Sequence, residues 1–258
     1  MKVNSECQKS LQLKSGITFA IPAFNEEKNL LGVISNLQKF LDINSSIKGE
    51  IIVIDDGSKD ATGKIARAQK LSNPTIKVIY HKRNLGLGRC IKDAIQAADY
   101  DRFMIIPGDN DMPMEIIDRM INHIDHAEII MCYFIDIEKR SLFRNLLSAI
   151  FGIIYMAAFK IHVQYVNGPC IYPSSKLKRL SLKANKFSIV AEINVKLLCG
   201  GATFLEIPAT RLNADNGNRA LTLVNFIETI STFFKLLFEV RLINCDLYKK
   251  NPRRILKL

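Results

Sequence analysis

Two carboxylates one residue apart, Asp109 and Asp111, close the stretch IIPGDNDMP at residues 105–113. Like charges that close raise each other's pKa unless a cation lies between them. A hard divalent ion such as Mg2+ or Mn2+ takes oxygen ligands, commonly one or two carboxylates together with substrate phosphates. The bland alternative is a solvated acidic loop that caps the helix after Pro113. Spacing alone is weak, since a chain of this composition holds about one Asp-x-Asp by chance, and a second copy, Asp99-Tyr100-Asp101, precedes the same apolar stretch. Two further clusters follow apolar runs: Asn25 with Glu26 after GITFAIPAF, and Asp55 with Asp56 in GEIIVIDDGS. Asp55 and Asp56 suit hydrogen bonding to the base and ribose of a nucleotide, while Asp60 suits the N-cap of a following helix.

The elements that must position these groups decide between the copies. GITFAIPAF (16–24), GEIIVIDDGS (49–58), TIKVIYH (75–81) and RFMIIPGD (102–109) have the β-branched, doubly apolar character of buried strands. EEKNLLGVISNLQKFL, DATGKIARAQKL and GRCIKDAIQAA between them have helical patterns. Strands separated by single helices predict a parallel sheet covered on both faces, and such sheets bind ligands at the carboxyl ends of their strands. Asp99 and Asp101 then stand at the wrong edge, whereas Asn25 and Glu26, Asp55 and Asp56, and Asp109 and Asp111 converge on one rim.

The second half is less regular. AEIIMCYFI (127–135) predicts a strand, followed by a long helix over about 141–160. FSIVAEINVKLLCGG (187–201) predicts a helix ending at a glycine pair, and TFLEIPA a strand. In LVNFIETISTFFKLLFEVRLI, Phe226, Ile227, Ile230, Phe233, Phe234 and Leu237 recur at helical spacing with Glu228, Lys235 and Glu239 among them, an amphipathic helix. The expectation is an extension over 1–15, one domain over 16–220, and a C-terminal amphipathic helix with a basic tail over 221–258.

Composition narrows the partners. With 48% hydrophobic and 24% charged residues the chain is an ordinary globular protein, and its net charge of +11 calls for an anionic partner. The tail YKKNPRRILKL is either solvated or drawn to an anionic membrane; with Tyr248 as its single aromatic it is a poor nucleic-acid groove. The longest apolar run, LLSAIFGIIYMAAF (146–159), falls short of the roughly 20 residues a span needs. It predicts a buried helix or one lying in a membrane interface. The six scattered cysteines predict buried thiols in a reducing compartment. MKVNSECQKSLQLKSG lacks the apolar core of a secretory signal, so a cytoplasmic protein is expected, with peripheral attachment to the cytoplasmic face of a membrane as an option.

Other motifs carry less. HKRNLGLGRCI resembles a dinucleotide fingerprint but has Ile91 where the third glycine belongs, so its glycines are better read as letting a backbone approach a ligand closely. His123 and His126, three apart, predict a helix surface rather than a metal pair.

AIPAFNEEKNL, EIIVIDDGSKDAT, RNLGLGRCIKDAI, MIIPGDNDMP and FSIVAEINVKLLCGGATFLEIPA, in this order over most of residues 16–220, resemble family-2 glycosyltransferases. The resemblance is to the α/β GT-A fold, with a mostly parallel central sheet flanked by helices, and within it to the dolichol-phosphate mannose synthase branch. It implies a sugar-nucleotide donor held by Pro22, Ala23, Phe24, Asn25, Glu26, Asp55, Asp56, Asn84, Gly86, Gly88, Asp109 and Asn110. It also implies Mg2+ or Mn2+ on Asp109 and Asp111, with transfer in one displacement that inverts the anomeric carbon. Glu192 in VAEI matches an acceptor-side acid, a candidate general base; an acceptor that is an already ionised lipid phosphate needs no base, and Glu192 would then only orient.

Two segments depart from the family pattern. TRLNADNGNRAL replaces an Arg-x-x-Gly-x-Ser-Lys-like phosphate grip, with Ala214 near the expected arginine and Arg211 or Arg219 as substitutes. VQYVNGPCIYP replaces an Asp-Pro-Thr-Ser-Gly-Phe-like stretch. The expected activity is a metal-dependent glycosyltransferase moving a sugar to a polyprenyl or dolichyl phosphate or a glycan at a membrane surface. The alternatives are a non-catalytic sugar-nucleotide-binding protein and a basic module for membranes or nucleic acid.

Overall fold

A computed structural model describes residues 13–110, 112–136, 142–210 and 223–256, without the side chains of 142–145 and 223–227. The first half alternates as the sequence predicts: β1 (Lys14–Ala23), α1 (Leu30–Ile43), β2 (Gly49–Asp55), α2 (Thr62–Ser72), β3 (Ile76–Tyr80), α3 (Leu87–Ala97), β4 (Tyr100–Ile105) and α4 (Met114–Ile121). Then come β5 (Ile129–Phe134), α5 (Leu142–Phe159), β6 (Cys170–Pro173), α6 (Ser174–Leu177), α7 (Ile189–Cys199), β7 (Thr203–Ala209), α8 (Leu223–Phe238) and β8 (Arg253–Arg254). The strands form one sheet in the order β3-β2-β1-β4-β6-β5-β7-β8. All neighbours are parallel except β6, which runs antiparallel between β4 and β5.

Strand periodicity explains the two cores. Ile51 and Val53 pack with Phe19, Leu30, Ile34 and Ile117 on one face, under α1 and α4. Ile52 and Ile54 pack with Ile91, Ile95, Tyr155 and Leu198 on the other, under α3, α5 and α7. Successive strand side chains point to opposite faces, so a strand buried on both must be apolar throughout.

Four features depart from the sequence expectation. The first strand starts at Lys14, inside the stretch assigned to an extension. The short β6, four residues of CIYP, carries no periodicity long enough to detect. The helix expected to run to residue 243 changes to a π-helical turn over Glu239–Ile243, where Glu239 turns inward onto Lys183 and Lys196. The basic tail is not free: Arg253 and Arg254 add to the sheet beside Thr203 and Phe204, and Arg254 pairs with Glu206. Its backbone finds a strand edge to complete, which a count of charges cannot show.

Candidate functional site

Chain ends of β1 and β2 are laced together. The Asn25 and Glu26 amides donate to Ser58 Oγ at 3.0 Å and Thr62 Oγ1 at 2.8 Å. In return Lys59 N donates to Asn25 Oδ1 at 2.9 Å and Ala61 N to Glu27 Oε2 at 2.9 Å. Asp60 stands one residue before the α2 cap and accepts from the Thr62 amide at 3.0 Å and the Glu27 amide at 3.2 Å. Burial pushes the Asp60 pKa up, but hydrogen bonds from Thr62 and Glu27 together outweigh it, and the net shift is down. Asp55 and Glu26 are buried and turned inward, Asp55 Oδ1 accepting from Ser58 N at 3.0 Å and Glu26 Oε2 from Asn29 Nδ2 at 2.9 Å.

Asp56 is 3% exposed and joins the β2 loop to the β3 loop. Oδ1 accepts from His81 Nδ1 at 2.6 Å and the Leu85 amide at 2.9 Å, and Oδ2 from the Gly86 amide at 2.9 Å. Gly57, at φ +73°, lets this turn press on Arg83: a Cβ there would lie 2.5 Å from the Arg83 carbonyl carbon. Beyond His81, Nε2 meets Asp93 Oδ2 at 3.0 Å, and Arg89 Nε donates to that same oxygen at 2.7 Å. His81, Arg89 and Asp93 escaped the sequence analysis, although His81 directly follows a strand and Arg89 and Asp93 are four apart on a helix.

The backbone that crowds Gly86 and Gly88 belongs to the protein itself. A Cβ on Gly86 (φ +91°) would lie 2.5 Å from Asn185 O, and one on Gly88 2.5 Å from Ala184 O. Asn84 is exposed at the head of this loop.

Asp109 is exposed past the carboxyl end of β4, on the same sheet edge as Asp56. Gly108 beneath it packs on β1, where an added Cβ would lie 3.0 Å from Pro22 O and 3.5 Å from Glu26 Cγ. Asn110, at φ 61°, accepts from Asn36 Nδ2 on α1 at 3.4 Å. Pro22 and the buried Ala23 end β1, and Phe24 is an exposed aromatic at its tip. Asp111, Arg211 and Arg219 lie outside the described residues. At the opposite edge Asp99 pairs with Lys77 at 2.8 Å and Asp101 accepts from the Gly16 amide at 2.9 Å, both structural tasks. His123 and His126 fall in turns after α4 rather than on a helix.

Two places among the described residues offer carboxylate oxygen to a cation, the Asp109 loop and the Asp56 cluster. An exposed carboxylate at a loop supplies the hard oxygen donor that Mg2+ or Mn2+ prefers. Asp56, His81 and Cys90 also lie together, but Asp56 Oδ1 and His81 Nδ1 are already 2.6 Å apart, a hydrogen bond. Ligands about 2.0–2.2 Å from an ion would have to separate further. Burial also pushes the Cys90 thiol up, away from the thiolate a metal needs.

Glu192 is not on a helix surface: it is 2% exposed on α7. Its oxygens accept from the Lys183 amide at 3.0 Å, the Ala184 amide at 2.8 Å and Lys196 Nζ at 2.7 Å. Lys196 reaches Glu239 at 2.8 Å, and Glu239 reaches Lys183 at 2.7 Å. The carboxylate thus holds the 183–184 segment, which rests on Gly88 through Ala184 and leads into Asn185 against Gly86.

A family model described as glycosyl transferase family 2 matches residues 18–182, more than half of the chain. The chain is similar to a dolichyl-phosphate beta-glucosyltransferase of Dictyostelium discoideum, 23% identical over 225 residues, 76% of this chain and 68% of that protein. It is also similar to a dolichol-phosphate mannosyltransferase of Pyrococcus furiosus, 30% identical over 112 residues, 43% of this chain and 30% of that protein. This chain spans 42% of the length of an uncharacterized Methanocaldococcus jannaschii protein, 36% identical over 102 residues, so less than half of that relative is shared. Among solved structures, glucosyl-3-phosphoglycerate synthase from Mycobacterium tuberculosis, in complex with Mn2+, UDP and phosphoglyceric acid, aligns with a TM-score of 0.64. It is 18% identical, with 86% of this chain and 78% of that one covered, a likeness of fold.

Proposed function

Because the chain belongs to glycosyl transferase family 2, we propose that it transfers a sugar from a nucleoside-diphosphate sugar to a lipid phosphate, with inversion and with Mg2+ or Mn2+ bound. The observation that carries this reading is the meeting of three strand ends on one rim, the Asn25–Glu26 and Asp55–Asp56 loops laced together and Asp109 exposed beside them. The exposed Phe24 and Asn84 supply contacts to the nucleotide, while Glu26, Asp55 and Asp56 act from behind by fixing the loops. Asp109 and Asp111 hold the cation, which when bound offsets the negative charge gathering on the leaving diphosphate. Lys59 and Arg83, exposed on the same loops, add positive charge near it.

Glu192 bears on the acceptor. A carboxylate committed to Lys196 and two amides is poorly placed to take a proton from a hydroxyl, whereas a phosphate acceptor arrives ionised and needs no base. The relatives named for dolichyl phosphate point the same way.

A lipid acceptor requires a membrane-facing surface, and α5 and α8 supply one. They pack together through Tyr155 and Phe233, ring centroids 5.1 Å apart. Leu146, Ile150, Ile153 and Ile154 on α5, and Ile230, Phe234 and Phe238 on α8, stay exposed. Residues 146, 150, 153 and 154, and 230, 234 and 238, recur at helical spacing, so each helix presents an exposed apolar stripe, and large exposed apolar patches mark interaction sites. No helix among the described residues is long and apolar enough to cross a membrane. The exposed Lys160 and Lys235 add charge complementarity to an anionic bilayer.

The test is a screen of purified protein with UDP-, GDP- and CDP-sugars, Mn2+ and, as acceptors, polyprenyl phosphate in vesicles or soluble glycans. Formation of a glycosylated lipid that chelation abolishes supports the reading. Donor binding without turnover on lipid or glycan acceptors favours the non-catalytic alternative.

A further inference from the structure

His81 sits where β3 ends, its side chain 6% exposed, with a carboxylate against each ring nitrogen: Asp56 at 2.6 Å and Asp93 at 3.0 Å. An ionised carboxylate only accepts hydrogen bonds, so both contacts are satisfied when both nitrogens carry protons. The charged or titratable groups packed on the ring are Asp56 from the end of β2, Cys90 and Asp93 from α3, and Arg89 through Asp93. Asp56 Oδ1 is shared between the ring and the Leu85 amide, while Oδ2 takes the Gly86 amide. The imidazole therefore partners a buried carboxylate and fixes its plane, and that carboxylate holds the loop carrying Asn84.

We propose that His81, clamped between Asp56 and Asp93, is a positioning residue that sets the Arg83–Gly88 loop for donor binding. Two things support this over simple core packing. The contacts are polar and directional at both ends, where an apolar ring would serve packing alone. The clamp also ends on the two amides of a loop that sits on the same rim as Phe24 and Asp109. The donor half of the inference rests on the function proposed above; the loop half does not.

The experiment follows both halves. Amide hydrogen exchange of the ligand-free protein is compared between wild type, His81→Gln and Asp93→Asn. Losing the clamp should speed exchange at Leu85 and Gly86 by about tenfold or more, the scale of one lost charge-assisted hydrogen bond, with β1 and β2 amides unchanged. Binding of whichever of UDP, GDP and CDP the wild type takes with Mn2+ should weaken in both variants, and with turnover the donor KM should rise more than kcat falls. Unchanged exchange at Leu85 and Gly86 in both variants overturns the proposal. Faster exchange with unaltered nucleotide affinity overturns its donor half. Wild-type protein that binds none of UDP, GDP and CDP counts against the proposed function instead, while the exchange measurements still decide what His81 does.

Discussion

Glu192 and Lys196, one turn apart on α7, meet at 2.7 Å with side chains 2% and 0% exposed. Two ions so deeply buried lose hydration that their attraction recovers only with further hydrogen bonds. The Lys183 and Ala184 amides and Glu239 supply those bonds. The cluster joins α7, the π-helical turn and the segment under Gly86 and Gly88.

Removing one partner leaves a buried charge short of its counterpart, a cost of about 3–5 kcal/mol. Glu192→Gln should therefore lower the melting temperature sharply, with turnover lost in step with folded protein. A general base would behave otherwise: an unchanged melting temperature with kcat down by about 10²–10⁴-fold. Thermal denaturation and kcat measured on the same sample separate the two.

Asp109 is exposed and its loop turns on Gly108 and Asn110. Asp109→Asn should leave thermal stability nearly unchanged, while turnover falls by about 10²-fold or more, the scale of one lost electrostatic contact to the leaving group. Asp111→Asn should behave alike. Full activity in either variant at saturating Mn2+ would exclude that carboxylate from the metal site.

Two glycines should respond in opposite senses to alanine. At Gly88 the new methyl would meet Ala184 O at 2.5 Å, so Gly88→Ala should cost about 1–3 kcal/mol and weaken UDP binding as the loop shifts. At Gly152, within α5, a Cβ meets nothing within 4 Å. Gly152→Ala should stabilise by about 0.5–1 kcal/mol, the helix-propensity difference. Denaturant titration measures both.

Acid should loosen the rim. The Asp60 pKa is held below its ordinary value, net of the burial that raises it. A depressed carboxylate contributes stability that is present above the ordinary range, about pH 4, and lost as pH falls through the lowered folded value. Melting temperature recorded from pH 6 to pH 3 should drop more steeply in wild type than in Asp60→Asn, which has no charge there to titrate.

Removal of residues 249–258 deletes β8 and leaves Glu206 without Arg254. The truncated chain should melt at lower temperature, so weaker binding to anionic vesicles would not by itself identify a membrane contact. Neutralising Lys160 and Lys235 to Gln is the cleaner measurement: vesicle binding should fall, and more so at low salt, with the melting temperature unchanged.

Much of the first half was legible in the sequence. GITFAIPAF and GEIIVIDDGS, separated by an amphipathic helix, specify parallel strands because only a sheet covered on both faces buries strands apolar throughout; TIKVIYH, with Lys77 inside it, forms the half-buried edge strand β3. That topology assigned Asp56 and Asp109 to one rim and Asp99 and Asp101 to the other, where the structure has them. What the tertiary structure alone decided is which way the polar side chains turn. Glu192 turned inward to Lys196, Asp56 to His81 and two amides, Asn110 to α1, and the tail to the edge of β7. Periodicity reports the face a residue occupies. The partner of a buried charge is set by segments brought together from far along the chain, and the desolvation cost of leaving it unpaired selects that arrangement.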